Sequence, residues 1–491
     1  MDATGEIAAE SRGTLSVITR REILRDVLVA SAGIIVTSQW SPGFGRDEDR
    51  LKPLLHPDDP WAAVPDILGR IVPPVFPKRD FLITRYGGDI AKAINACHRA
   101  GGGRVVVPKG DYLTGPVRLL SRVELHLDAG ATLRFSNDPE KYPLVYTRWE
   151  GVELMNYSPL VYAFECEDVA VTGDGTLDGQ ADEKHWWNWK PASGPSDRSQ
   201  PEPPAPQVAD RMQLMEQAEH GLPVEQRIYG KGHFLRPTFI EPYRCRNVLI
   251  EGVTVKNAPF WNIHPTLCTN VTVRGVKVIA NGPNTDGCDP ESCRGVLIED
   301  CVFDTGDDCI ALKSGRNADG RRVNVPVEDV IIRRLQMKAG HGGITIGSEI
   351  SGGARNIFAE KCTLDSPTLE RGLRMKSNTM RGGVIENVFV RDIEIGNVLF
   401  APIEIDLRYE ARESGPFLPV VRNIVVERMR SAHSRYGLYI RGLEQAPVRG
   451  VTLRDCTFRG VTNGQVIEGA VDVTLRGMIV EAAPARKEGT R

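Results

Sequence analysis

A short pattern recurs through the second half of the chain, and it limits the fold more than any other feature. Nine segments open on Asn, Asp or Gly and continue with β-branched or other apolar residues. They include Asn247-Val-Leu-Ile-Glu-Gly, Asn270-Val-Thr-Val-Arg-Gly, Gly295-Val-Leu-Ile-Glu-Asp, Asp329-Val-Ile-Ile-Arg-Arg, Asn387-Val-Phe-Val-Arg-Asp and Asp472-Val-Thr-Leu-Arg-Gly. Successive starts at 247, 270, 295, 329, 356, 387, 423, 450 and 472 are 23, 25, 34, 27, 31, 36, 27 and 22 residues apart. A period of about 20–50 residues means a solenoid or a propeller, and propeller blades need about 40–45 residues and four strands. These units are shorter and almost free of helical periodicity. The expected fold is therefore all-β, a parallel β-helix.

The rest of the chain fits around that solenoid. The helix-like stretch Ile90 to Arg99 ends in Gly101-Gly-Gly and leads into Arg104-Val-Val-Val-Pro. A short amphipathic helix there would cap the open N-terminal end, where unpaired strand edges invite aggregation. Residues 180–235 break the rhythm with Trp186-Trp187-Asn188-Trp189, a Pro/Ser-rich run from Pro191 to Pro206 and a helix-prone run from Val208 to His220. So long an excursion reads as an ordered loop insertion with a functional role. Its tryptophans either stack on sugar faces or pack the loop onto the solenoid. At the N-terminus, Thr19-Arg20-Arg21-Glu22-Ile23-Leu24-Arg25 precedes the apolar stretch Val27 to Ser38 and resembles a twin-arginine export signal. The expected layout is an export segment and linker (1–45), one catalytic β-helix domain (46–480) and a short tail (481–491). The expected location is periplasmic or secreted, in a bacterium.

Composition removes several classes. A net charge of −3 gives no basic field for nucleic acid. No apolar run reaches the roughly 18 residues of a conventional membrane span, so no membrane association is expected beyond an uncleaved signal. None of the ten cysteines shows CxxC spacing, which argues against zinc. Cys288 and Cys293 flank a turn at a spacing that admits a disulfide in an oxidising compartment. Most of the ten are expected as buried free thiols. No cofactor or metal is expected, and nothing demands a partner chain, so the working form is read as a monomer.

Chemistry is concentrated in four clusters: Asn284-Thr285-Asp286, Gly306-Asp307-Asp308, Gly340-His341-Gly342 and Arg374-Met375-Lys376. Asp286 and Asp308 are 22 residues apart, one short coil, which places them on adjacent rungs about 4.8 Å apart. His341 lies 34 residues after Asp307 and Arg374 lies 33 after His341, each consistent with a longer coil. Three crowded carboxylates either bind a hard cation or divide acid and base roles in glycoside hydrolysis. Crowding raises one carboxyl pKa, so that group stays protonated as acid while the others hold a water. Arg374 and Lys376 share one side of a strand and form a clamp for a sugar carrying its own carboxylate. Lys313, Arg316 and Arg408 are further candidates for that clamp.

These four clusters together resemble the signature motifs of the polygalacturonases, glycoside hydrolase family 28. The resemblance spans roughly residues 80–480 and includes Gly101-Gly-Gly-Arg-Val-Val-Val-Pro and Phe260-Trp261-Asn262-Ile263-His264. It implies a right-handed parallel β-helix and inverting hydrolysis of α-1,4-galacturonide linkages in pectin. By motif, Asp307 is the expected acid, Asp286 and Asp308 the bases, and His341 the support of the acid. Arg374, Lys376, Tyr409 and His264, with Lys313 and Arg316, form the expected substrate-binding set. Met375 stands where the family usually has Ile, and the connection before the Ile90 helix is about a dozen residues shorter than usual, which puts the N-terminal cap in question. Gly287-Cys-Asp-Pro-Glu-Ser and Ile346-Gly-Ser-Glu resemble bacterial exo-acting members. Endo action, decorated pectins such as rhamnogalacturonan or xylogalacturonan, a calcium-dependent pectate lyase and a non-catalytic carbohydrate-binding solenoid remain the competing expectations.

Overall fold

Each of the nine repeat segments begins on a residue in left-handed backbone, with φ between 55° and 68°. Only Gly, Asn and Asp adopt that region at little cost, which explains the residue types that open every repeat. The side chains bond along the stack: Asn270 Nδ2 donates to Asn247 Oδ1 (2.7 Å), Asn387 to Asn356 (3.1 Å) and Asn423 to Asn387 (2.7 Å). The next residue of each repeat turns inward. Val248, Val271, Val296, Val330, Ile357, Val388, Ile424, Val451 and Val473 pair in parallel register, one above another. This computed structural model describes residues 59–190, 205–410 and 413–484. The described residues belong to a single compact unit, and the twin-arginine-like stretch lies outside them.

The result is a parallel β-helix. Its long sheet carries 23 strands among the described residues. A second file of six parallel strands runs along another face: β1 (Ile310–Leu312), β2 (Ile344–Ile346), β3 (Arg371–Lys376), β4 (Ala401–Asp406), β5 (Leu438–Arg441) and β6 (Gln465–Glu468). Single bridges through Ile240, Ile263, Cys288 and Ile310 extend this file toward the N-terminus.

The repeats read as continuous apolar runs because both faces of part of the long sheet are covered. Leu297, Ile331, Phe358 and Phe389 point outward and pack against Ala63, Ile67 and Ile71, at and beside helix α1 (Val64–Arg70). Full burial of each such side chain is worth about 1.5–3 kcal/mol. The N-terminal cap forms despite the short connection. Helix α2 (Ile90–Arg99) buries Ile90, Ala93, Ile94 and Cys97, and Asp89 caps it by accepting from Lys92 N (3.0 Å).

The insertion is ordered where it is described. Helix α3 (Pro206–Glu219) buries Leu214 and Ala218 with Trp149, Leu154, Phe260 and Trp261. The tryptophan cluster packs the loop rather than offering a sugar platform. Trp186 is buried against Tyr142 and Trp189, and Trp187 Nε1 donates to Ala258 O (2.9 Å). The Cys288–Cys293 disulfide is also not formed, and all ten cysteines are buried thiols. The two lie in different files. Cys288 stacks between Ile263 and Ile310, whereas Cys293 Sγ accepts from Cys268 N (3.4 Å) on the preceding coil.

Candidate active site

Stacking of coils with little room between them builds the site. Thr285 Oγ1 donates to Ala280 O (2.6 Å) and accepts from Gly306 N (3.2 Å), fastening one rung's turn to the next. A Cβ at Gly306 would fall on the Gly282 carbonyl oxygen, and one at Gly342 would press on Thr345 Oγ1 and the Asp308 carboxylate. The glycines beside the acids therefore permit the close approach of neighbouring rungs.

Asp286 and Asp308 do lie on adjacent rungs, since Gly287 N donates to Asp308 O (2.9 Å). The His341 rung follows, with His341 Nδ1 3.0 Å from Asp307 Oδ1. One oxygen from each of Asp286, Asp307 and Asp308 comes within 4.8 Å of the others. The three carboxylates therefore converge on one small space. Arg374 pairs in register with Thr345 rather than His341, whose own rung leads to Glu370. Arg374 reaches back over that rung, with Nη1 3.3 Å from Asp308 Oδ1, and Lys376 Nζ is 2.7 Å from Asp308 Oδ2.

The chain resembles known proteins over most of its length. Residues 230–467 match the model described as glycosyl hydrolases family 28. A solved hyperthermoactive exopolygalacturonase from Thermotoga maritima is 44% identical, with a TM-score of 0.80, over 85% of this chain and 95% of that one. The chain belongs to glycoside hydrolase family 28. An exo-poly-α-D-galacturonosidase of Dickeya chrysanthemi is 26% identical over 67% of this chain and 57% of its own length. The polygalacturonase of Erwinia carotovora ssp. carotovora, 21% identical with a TM-score of 0.58 over 84% of this chain and 98% of that one, shares the fold. Like these solved relatives, this family 28 hydrolase is a right-handed parallel β-helix.

Electrostatics make the three acids of the hydrolase unequal. Burial pushes the Asp308 carboxyl up, but Lys376 and Arg374 outweigh it and hold Asp308 below the usual carboxylate range. Asp308 has no exposed surface, because the two cations cover it. Asp286 goes the other way, raised well above its ordinary value by burial and then by Asp289 and Asp307. Asp289 is a residue that sequence reasoning quoted but did not assign. It is fully buried, and burial pushes it up to about 7. Both oxygens of Asp289 and Oδ1 of Asp286 lack a hydrogen-bond donor, so a proton shared by this pair satisfies what nothing else does. His341 is raised above its ordinary value chiefly by Asp307, through the attraction of an imidazolium to the ionised Asp307 carboxylate 3.0 Å away. His341 and Asp307 are the most exposed of these groups, with side chains 29% and 13% accessible.

Several cations expected in the substrate clamp are already paired. Lys313 is buried, with Nζ 3.6 Å from both Asp286 and Asp289 and 3.1 Å from Glu349. Its role is to balance the acids from below. Arg316 is buried against Glu150 (3.0 Å) and Glu413 (2.8 Å). Arg408 is exposed and donates to Gly442 O (3.3 Å), away from the acids. His264 is fully buried between Glu291 (2.8 Å) and Glu241 (3.4 Å), so no substrate reaches it. Tyr409 is nearly buried and holds its ring 5.6 Å from the Arg374 guanidinium and 5.2 Å from Lys376 Nζ. At these distances the ring attracts both cations. Sequence reasoning also missed Glu404, which fixes Arg374 Nε at 3.0 Å. The carboxylate triad is the one set of acidic, His or Cys donors among the described residues that is close enough to hold a metal ion. Lys313, Lys376 and Arg374 already supply the positive charge such an ion would bring, so the donor set fits a cation poorly.

Proposed function

We propose that this family 28 hydrolase cleaves α-1,4-galacturonide linkages of polygalacturonate from a chain end, with inversion. One observation carries the reading: a buried Arg374–Lys376 pair stands directly on Asp308, beside Asp307 and Asp286. A substrate carboxylate entering the clamp competes with Asp308 for both cations. As the cations swing toward the sugar, Asp308 is uncovered in its ionised form and takes up the attacking water with Asp286. Asp307, oriented by His341 and by the backbone N–H of Asp308 (2.9 Å), delivers the proton to the leaving oxygen. A neutral sugar does not draw the cations away, which ties activation to acidic substrates.

Exo action is supported by the Thermotoga relative, described as an exopolygalacturonase, and by the insertion. Arg236 joins Gln207 of α3 to Asn284 beside the triad, with Nε to Gln207 Oε1 at 2.7 Å and Nη2 to Asn284 Oδ1 at 2.8 Å. The insertion is thereby fastened beside the triad. The twin-arginine-like segment, the layout of 1–45, 46–480 and 481–491, an exported location and a monomeric working form complete the proposal. No described helix is long and apolar enough to cross a membrane. Digestion of polygalacturonate with product sizing is the test. Monogalacturonate from the first time point is expected, and a ladder of oligomers would sink the exo assignment. An unsaturated, ultraviolet-absorbing product that disappears with a chelator would replace hydrolysis by lyase chemistry.

A further inference from the structure

The outward face of the later rungs carries an arrangement that the triad and its clamp do not use. In the in-register file through β3, β4 and β5, Arg374 aligns with Glu404 and then with Tyr439, and Lys376 aligns with Asp406 and then with Arg441. Tyr439 and Arg441 therefore repeat the clamp's positions two rungs on, about 10 Å along the axis. Tyr439 is joined there by Phe400 and Tyr436, with ring centroids 4.8–5.2 Å apart. All three rings remain partly exposed, above the buried Leu438 and Ile440. The exposed Arg435 lies over Tyr436 at 5.4 Å, and Arg441 Nη1 is 3.5 Å from the Tyr439 hydroxyl.

This composition departs from the other outward faces. On the long sheet, exposed files are filled by Arg–Glu and Arg–Asp pairs such as Arg422–Glu386, Arg428–Asp392 and Arg430–Glu394. With Arg371 over Phe400 at 4.7 Å and Arg441 Nε 3.9 Å from Glu468, the three contiguous, partly exposed rings still leave apolar surface that a wholly charged ladder would not. Aromatic faces pack against the C–H faces of sugars, and adjacent guanidinium groups pair with carboxylates.

We infer that Phe400, Tyr436 and Tyr439, with Arg435 and Arg441, form a binding subsite for uronic-acid units of the polymer beyond the clamp. This inference rests on the galacturonan reading above. The polymer portion released by each cut lies over the rings, with its carboxylates toward the two arginines. The shelf thus favours long chains over short ones and holds the polymer between successive cuts.

The experiment compares kcat/KM on a galacturonate hexasaccharide with kcat/KM on the disaccharide, which is too short to reach the shelf. Tyr439→Ala lowers the hexasaccharide-to-disaccharide ratio about tenfold relative to wild type. Arg441→Gln lowers it about three- to tenfold, and Tyr439→Phe, which keeps the ring, stays within about twofold. A ratio that is unchanged in both Tyr439→Ala and Arg441→Gln overturns the subsite, as does an equal loss on both substrates. If melting curves show that Tyr439→Ala does not fold, Arg441→Gln decides the matter. A wild-type enzyme that cuts both oligomers with no response in the ratio removes only the shelf. A wild-type protein that cuts neither removes the galacturonan reading and the shelf with it.

Discussion

Lys376→Met tests the link between the clamp and the base. Lys376 Nζ stands 2.7 Å from Asp308 Oδ2, with both side chains buried, and Arg374 is the other cation on that carboxylate at 3.3 Å. At an effective dielectric near 20 the gross attractions are about 6 and about 5 kcal/mol, so the substitution removes roughly half of what holds Asp308 ionised. Desolvation offsets much of that gross figure, and breaking a buried pair costs about 3–5 kcal/mol of stability. The variant is expected to fold with a lowered melting temperature. Burial and Asp307 both push Asp308 up, and the remaining arginine opposes them alone. The Asp308 pKa therefore rises in the variant, and the acid limb of kcat/KM, which reports the free enzyme, moves to higher pH. The lost contact with the substrate carboxylate lowers kcat/KM at the optimum by about 10²–10³-fold. Stability follows the same sign. A carboxyl held below its unfolded value contributes stability above that value and loses it as pH falls through the folded pKa. Acid unfolding of Lys376→Met therefore begins at higher pH than in wild type. A fall in kcat/KM with the acid limb unmoved would refute the coupling and leave Lys376 as a substrate contact only.

Other outcomes are open to direct measurement. Asp307→Asn is expected to lower hydrolysis about 10²–10⁴-fold with an unchanged melting temperature, and a variant that keeps full activity would point to another acid. Proton NMR of the first product separates inversion from retention: the β-anomer of the new reducing end is expected, and initial α-anomer would mean that the close triad works through a covalent intermediate. Burial opposes the His264 charge, but Glu241 and Glu291 overcome it and raise His264 from 6.5 to about 9. Its contribution is complete below about pH 6.5 and fades as pH rises through 9, a change of about 3 kcal/mol. Urea unfolding midpoints at pH 6 and pH 9 are expected to differ less in His264→Gln than in wild type. An equal slope in both would show that His264 does not set the alkaline loss.

What the sequence discloses here is position along the stack. Asn247, Asn270 and Asn356 advertise left-handed turns, the valines after them advertise the core, and the 22-residue step from Asp286 to Asp308 places two acids on adjacent rungs. A rung's length does not disclose where along its strand a side chain stands. Arg374 is 33 residues from His341, yet its partner in register is Thr345, 29 residues earlier. Nor does residue type disclose which cation is spent internally. Lys313, Arg316 and Arg374 look alike as basic residues near acids. Lys313 and Arg316 are claimed by Glu349 and Glu150, while Arg374 and Lys376 lean on Asp308, the carboxylate proposed as base. Pairing of that kind is set by contacts between coils, which no local pattern encodes.

The same logic explains why Asp289 was passed over. It sits three residues after Asp286, in a turn whose proline and cysteine neighbours suggest structure rather than chemistry. Only the stack shows that it shares Lys313 with Asp286 at equal distances of 3.6 Å. Two buried carboxyls on one ammonium cannot both ionise without leaving excess negative charge in a site of low polarity. The third anion on Lys313, Glu349, is itself held well below its ordinary range: burial pushes it up, but Lys313 and Arg316 more than offset that. Lys313 is thus largely neutralised before either aspartate is counted. Burial and mutual repulsion thus favour a proton on the Asp286–Asp289 pair, while Lys376 and Arg374 favour the ionised form of Asp308. In the proposed mechanism the clamp then does more than recognise an acidic sugar, because the cations that would bind the sugar are the ones that keep Asp308 charged until the sugar takes them away.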